Sequence, residues 1–386
     1  MNSSRKHRVL FFIGSLSLVL IVILLIAMVV IQSWRYTEAG KVPLKTGVIL
    51  HAVNEQLLPE GLSTPSFFVR PVAPTIERQD RLMETSDGEE IAVRTYSPVQ
   101  AGPHPVIVYY HGGAFMEGYG NIETHDNILR ALANRTNAII VAPNYRVAPS
   151  YHFPTALNDS FETLEWVMNH ASELDANMDQ VAVVGDSAGG NLAASVIMKA
   201  KESNLSVHSG VFLYPLTTFE DLPFASRDLY SSGYYFLSRS VMEKARSAYT
   251  PNEEDWLNPL VSPLLMDDLR GFPDSLVATA EFDPLRDEGE AFAERLYDAG
   301  NNVEAVRFKG MMHGFVSFYE VMGRADYALQ YVSDFLKASF NGSRGFVSQP
   351  FQVVEMDEGD TLQDEVEAYG MGMYLLWQKL TRLVSS

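Results

Sequence analysis

The stretch Val181-Ala182-Val183-Val184-Gly185-Asp186-Ser187-Ala188-Gly189-Gly190 decides the fold. Val181–Val184 is a short apolar run rich in β-branched residues and reads as a buried strand. From Gly189 to Lys201 the apolar residues recur three and four apart, as on one face of a helix. The chain therefore passes from strand to helix within a few residues, and Ser187 lies in that turn. Gly185 and Gly189 stand two residues to either side, where so sharp a turn leaves no room for a Cβ atom. A serine raised on such an elbow has its hydroxyl exposed at the end of a strand.

Outward from this turn, strand-like runs recur at Val106–Tyr110, Ala138–Ala142, Val211–Leu213, Leu276–Ala280 and Val303–Phe308. Between them Ile122–Arg135, Thr155–His170 and Glu288–Ala299 carry helical spacing. This alternation predicts an α/β fold with a mostly parallel sheet and helices on both faces. Upstream, Ile76–Met83 and Ile91–Tyr96 flank Ser86-Asp87-Gly88, a hairpin signal that adds antiparallel strands at one edge.

Ligands of open α/β sheets bind beyond the carboxyl ends of the strands. Four strand ends here carry chemistry: His111-Gly112-Gly113-Ala114-Phe115, the Ser187 turn, Glu281-Phe282-Asp283, and Lys309-Gly310-Met311-Met312-His313-Gly314. A serine, an acid and a histidine arrive in the order Ser, Asp, His. Ser187 alone is a poor nucleophile, so a neutral His313 is expected to take its proton and return it to the leaving group. Asp283 is expected to fix the His313 tautomer and to stabilise the imidazolium that forms. Backbone N–H groups of Gly112, Gly113 and Ala188 are the expected donors to the oxyanion, with Ala188 opening a helix whose positive end favours the same charge. Glu281 and Asp287 lie close enough to Asp283 to compete for its role, although Asp287 is better suited to pair with Arg286 or Arg295.

Composition limits the alternatives. The 386 residues include no Cys, which excludes disulfides, a thiol nucleophile and thiolate metal sites. The formal charge of −19 argues against a nucleic-acid partner. Nine scattered His without an H-E-x-x-H pattern, and no G-x-x-x-x-G-K-[ST] loop, point to no metal and no cofactor.

The acidity is uneven. Residues 1–8 hold Arg5, Lys6 and Arg8 with no acid, so the first 32 residues carry +3 and the other 354 carry −22. Residues 9–31 form an apolar run of 23, long enough to span a bilayer and longer than a cleaved leader's core. Trp34 and Tyr36 fall where interfacial aromatics sit. The expectation is a single-pass signal anchor, N-terminus cytoplasmic and catalytic domain extracytoplasmic.

At these residues the chain resembles a known family. HGGAF, YRVAPSYHFPTAL, GDSAGGNLAAS, EFDPLRDEGEAFAERL and MMHGF are similar to the motif series of the hormone-sensitive-lipase-like carboxylesterases, bacterial family IV of the α/β-hydrolases. The match runs from about Ile91 to Phe340, and the membrane-anchored arylacetamide deacetylases of that family share the anchor arrangement. The resemblance implies an eight-stranded α/β-hydrolase core with a helical cap and hydrolysis of short-to-medium acyl esters by water. It carries catalytic roles onto Ser187, Asp283 and His313, and oxyanion roles onto Gly112, Gly113 and Ala188. Amide deacetylation and a catalytically silent binding protein are the competing readings.

The family usually has a third glycine where this chain has Ala114, which is expected to narrow the acyl pocket, and Glu-His where it has Ser150-Tyr151, which leaves Arg146 without its usual partner. The resemblance places a cap at about 41–73 and 217–256. The second segment is rich in aromatics, and Ala114, Phe115, Tyr235 and Phe236 are the expected substrate contacts. The expected organisation is therefore a basic segment (1–8), the anchor (9–31), the catalytic domain (32–340) and an acidic then amphipathic extension (341–386). In the extension, Val366, Tyr369, Met373, Leu376, Trp377, Leu380 and Leu383 recur at helical spacing, suited to a membrane interface, a partner or its own domain.

Overall fold

The structure is a computed structural model that describes residues 3–57, 76–345, 350–359 and 361–385. It divides into two compact units, one built from the chain's two ends and one from 76–358 among the described residues.

The larger unit is a nine-stranded sheet. In chain order its strands are β1 (Ile76–Glu84), β2 (Glu90–Pro98), β3 (His104–Tyr110), β4 (Ile139–Pro143), β5 (Ala176–Asp186), β6 (Ser209–Leu213), β7 (Asp274–Phe282), β8 (Val303–Met312) and β9 (Val353–Met356). Across the sheet they run β9-β8-β7-β6-β5-β3-β4-β2-β1. β2 pairs antiparallel with β1 and β4, and every other pairing is parallel. The central strands are apolar along their length because helices cover both faces: Val106, Ile107, Val108, Val183, Val184, Val211 and Phe212 are fully buried. β1 is an edge and reads accordingly, with Glu77, Arg78, Gln79 and Asp80 exposed.

The eight strands implied by the resemblance are all present, and β9 adds a ninth from the extension beyond residue 340. It joins because Val353–Met356 pairs in register with Ala305–Phe308 on the open edge of β8. Glu355 then meets Arg307 at 3.0 Å.

In the smaller unit, a helix of 31 residues, Ser3–Ser33, contains the apolar stretch Phe11–Ser33, long enough to cross a membrane. Ile31 at its end packs with Leu44, Val48 and Ala52 of the helix Leu44–Asn54 and with Ala368 and Leu375 of the C-terminal helix Leu362–Ser385. Of the first segment assigned to a cap, 41–73, the described part thus forms a helix of this unit, and 58–73 lies outside the described residues.

Candidate active site

The strand ends converge as their order across the sheet requires. β5 delivers Ser187, and on the far side of β6 the strands β7 and β8 deliver Asp283 and His313. Ser187 has φ +54 and ψ −118, a conformation that costs a non-glycine residue about 1–3 kcal/mol. The turn is held by Ser187 N–H donating to Leu213 O at 2.9 Å and by the following helix, Ala188–Glu202. Its two glycines are obligatory on contact grounds. A Cβ on Gly185 would lie 2.1 Å from Gly189 O, and one on Gly189 only 1.9 Å from Tyr110 O.

The three side chains form a hydrogen-bonded relay. Ser187 Oγ is 3.0 Å from His313 Nε2, and His313 Nδ1 is 2.8 Å from Asp283 Oδ2. Asp283 is fully buried, and its other oxygen accepts the Leu285 N–H at 2.8 Å. With a carboxylate facing Nδ1, the imidazole keeps its proton there and offers a bare Nε2 to the serine. The competing acids are engaged elsewhere: Glu281 accepts the Gly310 N–H at 2.7 Å and meets Lys309 Nζ at 2.7 Å, while Asp287 pairs with Arg286 at 2.8 Å.

The oxyanion turn departs from expectation at Gly112. Its N–H donates to Asp186 Oδ1 at 2.8 Å and is therefore unavailable to a substrate. Gly113 (φ +130) and Ala114 (φ +54) then turn through left-handed backbone. Among the described residues the N–H groups of Gly113, Ala114 and Ala188 find no protein acceptor.

A buried charge pair underlies this turn. His125 Nε2 lies 3.3 Å from the Asp186 carboxylate, which also accepts the Tyr109 hydroxyl at 2.9 Å. His125 Nδ1 is 2.9 Å from Asn121 O. Both ring nitrogens thus face acceptors, which suits the imidazolium. Burial opposes that charge, but the Asp186 carboxylate outweighs it and raises His125 above its ordinary pKa. Burial and the His125 charge instead push His111 down to about 3. Neutral His111 donates from Nδ1 to Gly112 O at 2.7 Å and stacks on Tyr145, so it orients the loop and carries no proton for chemistry.

Sequence reasoning found neither His125 nor the role of Asp186. It also left Arg146 unpartnered, yet Arg146 meets Asp159 at 3.0 Å through Nε and 2.6 Å through Nη2, and Asp87 at 2.8 Å.

Beside Ser187 opens a cleft of about 670 Å³, counted to its open mouth, with walls that include Ala114, Leu216, Phe219, Leu237, Met242 and Leu285. Several of these belong to 217–256, so that segment stands against the nucleophile. Ala114 lines the cleft beside Ser187. Phe115, Tyr235 and Phe236 are not among the lining residues. Phe115 is fully buried and stacked on Tyr249 at 4.0 Å, Tyr235 is stacked on Phe282, and Phe236 packs against Phe318. Phe115 and Tyr235 are taken up by buried packing, and Phe236 by a half-buried neighbour. Asn191 Nδ2 donates to Leu216 O at 3.0 Å and Val261 O at 2.8 Å, pinning both ends of the insertion beside the nucleophile's helix. Buried Glu288 accepts the Thr217 N–H and pairs with Arg227 from within it. Among the described residues no cluster of His, Asp and Glu could hold a metal ion.

An elbow serine, this strand order and an acid–histidine relay define the α/β-hydrolase class. Residues 107–317 match the family described as alpha/beta hydrolase fold, and the chain belongs to it, in the hormone-sensitive-lipase-like branch. It is 37% identical over 246 residues to an arylesterase of Saccharolobus solfataricus, covering 64% of this chain and 79% of that one. A carboxylesterase of Mycobacterium tuberculosis is 35% identical over 256 residues, 65% of this chain and 79% of its own. Among solved structures, an esterase of Pyrobaculum calidifontis superimposes with a TM-score of 0.68 at 36% identity, covering 75% of this chain and 92% of that one.

Proposed function

We propose that this carboxylic ester hydrolase is a serine carboxylesterase for short-to-medium acyl esters, anchored in a membrane by its N-terminal helix. The observation that carries the reading is the relay of 3.0 and 2.8 Å ending on a serine held at φ +54. Ser187 Oγ attacks the ester carbonyl while His313 Nε2 takes its proton. The resulting oxyanion meets the N–H groups of Gly113, Ala114 and Ala188. Collapse breaks the bond to the alcohol oxygen, which leaves with the proton from His313, and the acyl group stays on Ser187. Water then attacks the acyl carbon, gives its proton to His313, and the acid leaves as the proton returns to Ser187. The apolar part of the cleft wall, Leu216, Phe219, Leu237, Met242 and Leu285, suits the acyl chain and shields the intermediate.

A fluorophosphonate probe tests this directly. Folded protein should be labelled at Ser187 and lose the label in Ser187→Ala; an unlabelled wild type would rule out the enzyme. Matched p-nitrophenyl acetate and p-nitroacetanilide separate ester from amide hydrolysis, and equal or faster anilide turnover would replace the esterase reading with a deacetylase. For orientation, the N-terminus is cytoplasmic and the catalytic unit lies across the membrane. External protease should reach that unit in intact cells or right-side-out sealed vesicles, and protection until permeabilisation would contradict its translocation across the plasma membrane.

A further inference from the structure

The C-terminal helix Leu362–Ser385 has two unlike faces. On one, Ala368, Gly372 and Leu375 are buried, with Gly372 so close to Ile31 that an added Cβ would come within 2.7 Å of its side chain. On the opposite face, Leu362, Val366, Gly370, Met373, Trp377 and Leu380 follow one another at intervals of four and three and make a single stripe. Leu362 is 78% exposed, Val366 63%, and Trp377 and Leu380 61% each. No charged residue falls on this stripe. The helix has five charged side chains, and four are drawn to the packed flank: Asp364 and Glu367 hold Lys45, Lys379 meets Glu55 at 2.8 Å, and Arg382 donates to Gln56 O.

A stripe this apolar and this exposed is costly to leave in water. What covers it follows from its neighbour. The C-terminal helix meets the anchor helix at its end, where Ile31 is buried and Gln32 Nε2 donates to Tyr369 OH at 2.6 Å. Leu20, Ile23 and Leu24, about two to three turns further back, stay more than half exposed. The C-terminal helix therefore leaves the anchor sideways at its final turn instead of running alongside it. The anchor's exposed apolar surface runs up to Val29, two residues before Ile31, on which the packed face of the C-terminal helix rests.

We propose that the C-terminal helix is a second membrane contact, lying at the lipid–water interface with Val366, Trp377 and Leu380 in the acyl boundary. The proposal rests on the reading of the anchor helix as a membrane span. A charge-free stripe carrying Trp and Leu, with Tyr374 and Trp34 nearby, has the composition that settles at headgroup depth. The same four-three spacing also suits a seam between two copies. Gly370 in mid-stripe weakens such a seam, and a partner copy would leave the contact with the anchor's lipid-facing end without a purpose.

The absence of Cys from the chain makes the test clean. Val366→Cys, Leu380→Cys and Leu20→Cys, each carrying one nitrobenzoxadiazole label, would be reconstituted as full-length protein in phosphatidylethanolamine–phosphatidylglycerol vesicles, with ester turnover reporting the fold. The labels at 366 and 380 should emit to the blue, resist iodide and be quenched most by lipids spin-labelled near the headgroup; that at 20 should be quenched most by deep spin labels. If 366 and 380 remain open to iodide while 20 is lipid-quenched, the proposal fails and the span stands. If 20 is also open to iodide, the span and the proposal fall together. Protection from iodide without lipid quenching, with energy transfer between copies, would assign the stripe to a dimer and overturn the proposal.

Discussion

The Asp186 carboxylate accepts the Gly112 N–H at 2.8 Å, tying the residue before the nucleophile to the first residue of the oxyanion turn. One side chain on β5 thus sets the position of a loop that follows β3. It is itself held by Tyr109 and His125, all three being buried. Removing it leaves a buried imidazolium without a partner. Asp186→Ala is expected to destabilise the fold by about 3–5 kcal/mol, the usual consequence of breaking a buried ion pair from one side. Urea unfolding measures this, and a loss below 1 kcal/mol would mean the pair is neutral. Asp186→Asn keeps the shape and is expected to lower kcat more than it raises KM, because the turn that receives the transition-state charge is loosened.

The same pair predicts a pH dependence of stability. His125 has a raised pKa in the folded state, so the folded protein holds that proton more firmly than the unfolded chain. Its contribution is complete below the unfolded value of about 6.5 and is lost as pH rises through the folded value. His111 works the other way. It is pushed down to about 3, so from about 6.5 downward the unfolded chain binds a proton that the folded one refuses. Stability should therefore peak near neutrality and fall on the alkaline side with a slope of up to about 1.4 kcal/mol per pH unit from this site. His125→Gln should flatten the alkaline limb in urea titrations, and an unchanged limb would assign it to other groups.

Much of this site is legible in the sequence because it is written in local rules. Gly185 and Gly189 must lack a side chain for the turn to close, and a serine between them after a β-branched run is readable from spacing alone. Asp283 and His313 follow from their places at strand ends. The His125–Asp186 pair lies 61 residues apart with no pattern joining its members, so only the packed fold reveals it. Gly112 was misread for a different reason. Which N–H faces the substrate depends on backbone direction, and the left-handed turns at Gly113 and Ala114 leave no mark in residue spacing. β9 was missed because four residues, Val353–Met356, merge into an acidic run and become a strand only beside the open edge of β8. Tyr235 and Phe236 were expected at the substrate from the placement of their segment over the strand ends, whereas Tyr235 is buried against Phe282 and Phe236 rests half-buried on Phe318.

The assignment of the acid is open to a direct comparison. Asp283→Asn should leave Ser187 and His313 in place with the wrong tautomer and lower kcat by about 10⁴-fold. Glu281→Gln disturbs only a loop contact to Gly310 and the pair with Lys309, and should change kcat by less than about tenfold. Equal losses in the two variants would mean that Glu281 shares the work of Asp283.

Ala114 joins two roles that a backbone change can separate. Its N–H is a proposed oxyanion donor, and its methyl group lies on the cleft wall beside Ser187. Replacing residue 114 by its α-hydroxy analogue, lactic acid, exchanges that N–H for an ester oxygen and keeps the methyl. If the N–H stabilises the transition state, kcat should fall about 10²–10³-fold with little change in KM. The same exchange at Gly112, by glycolic acid, removes the bond to Asp186 and should appear chiefly as lost stability. Ala114→Gly does the reverse: it keeps the N–H, removes the methyl and relieves a left-handed backbone that costs an alanine about 1–2 kcal/mol. Its kcat on acetyl esters should stay within about threefold while kcat/KM rises for longer or branched acyl chains, each methylene in such a pocket being worth about 1–3 kcal/mol. An acyl profile identical to wild type would show that the methyl does not limit the pocket. Full activity in the lactic acid variant would return the oxyanion to Gly113 and Ala188 alone.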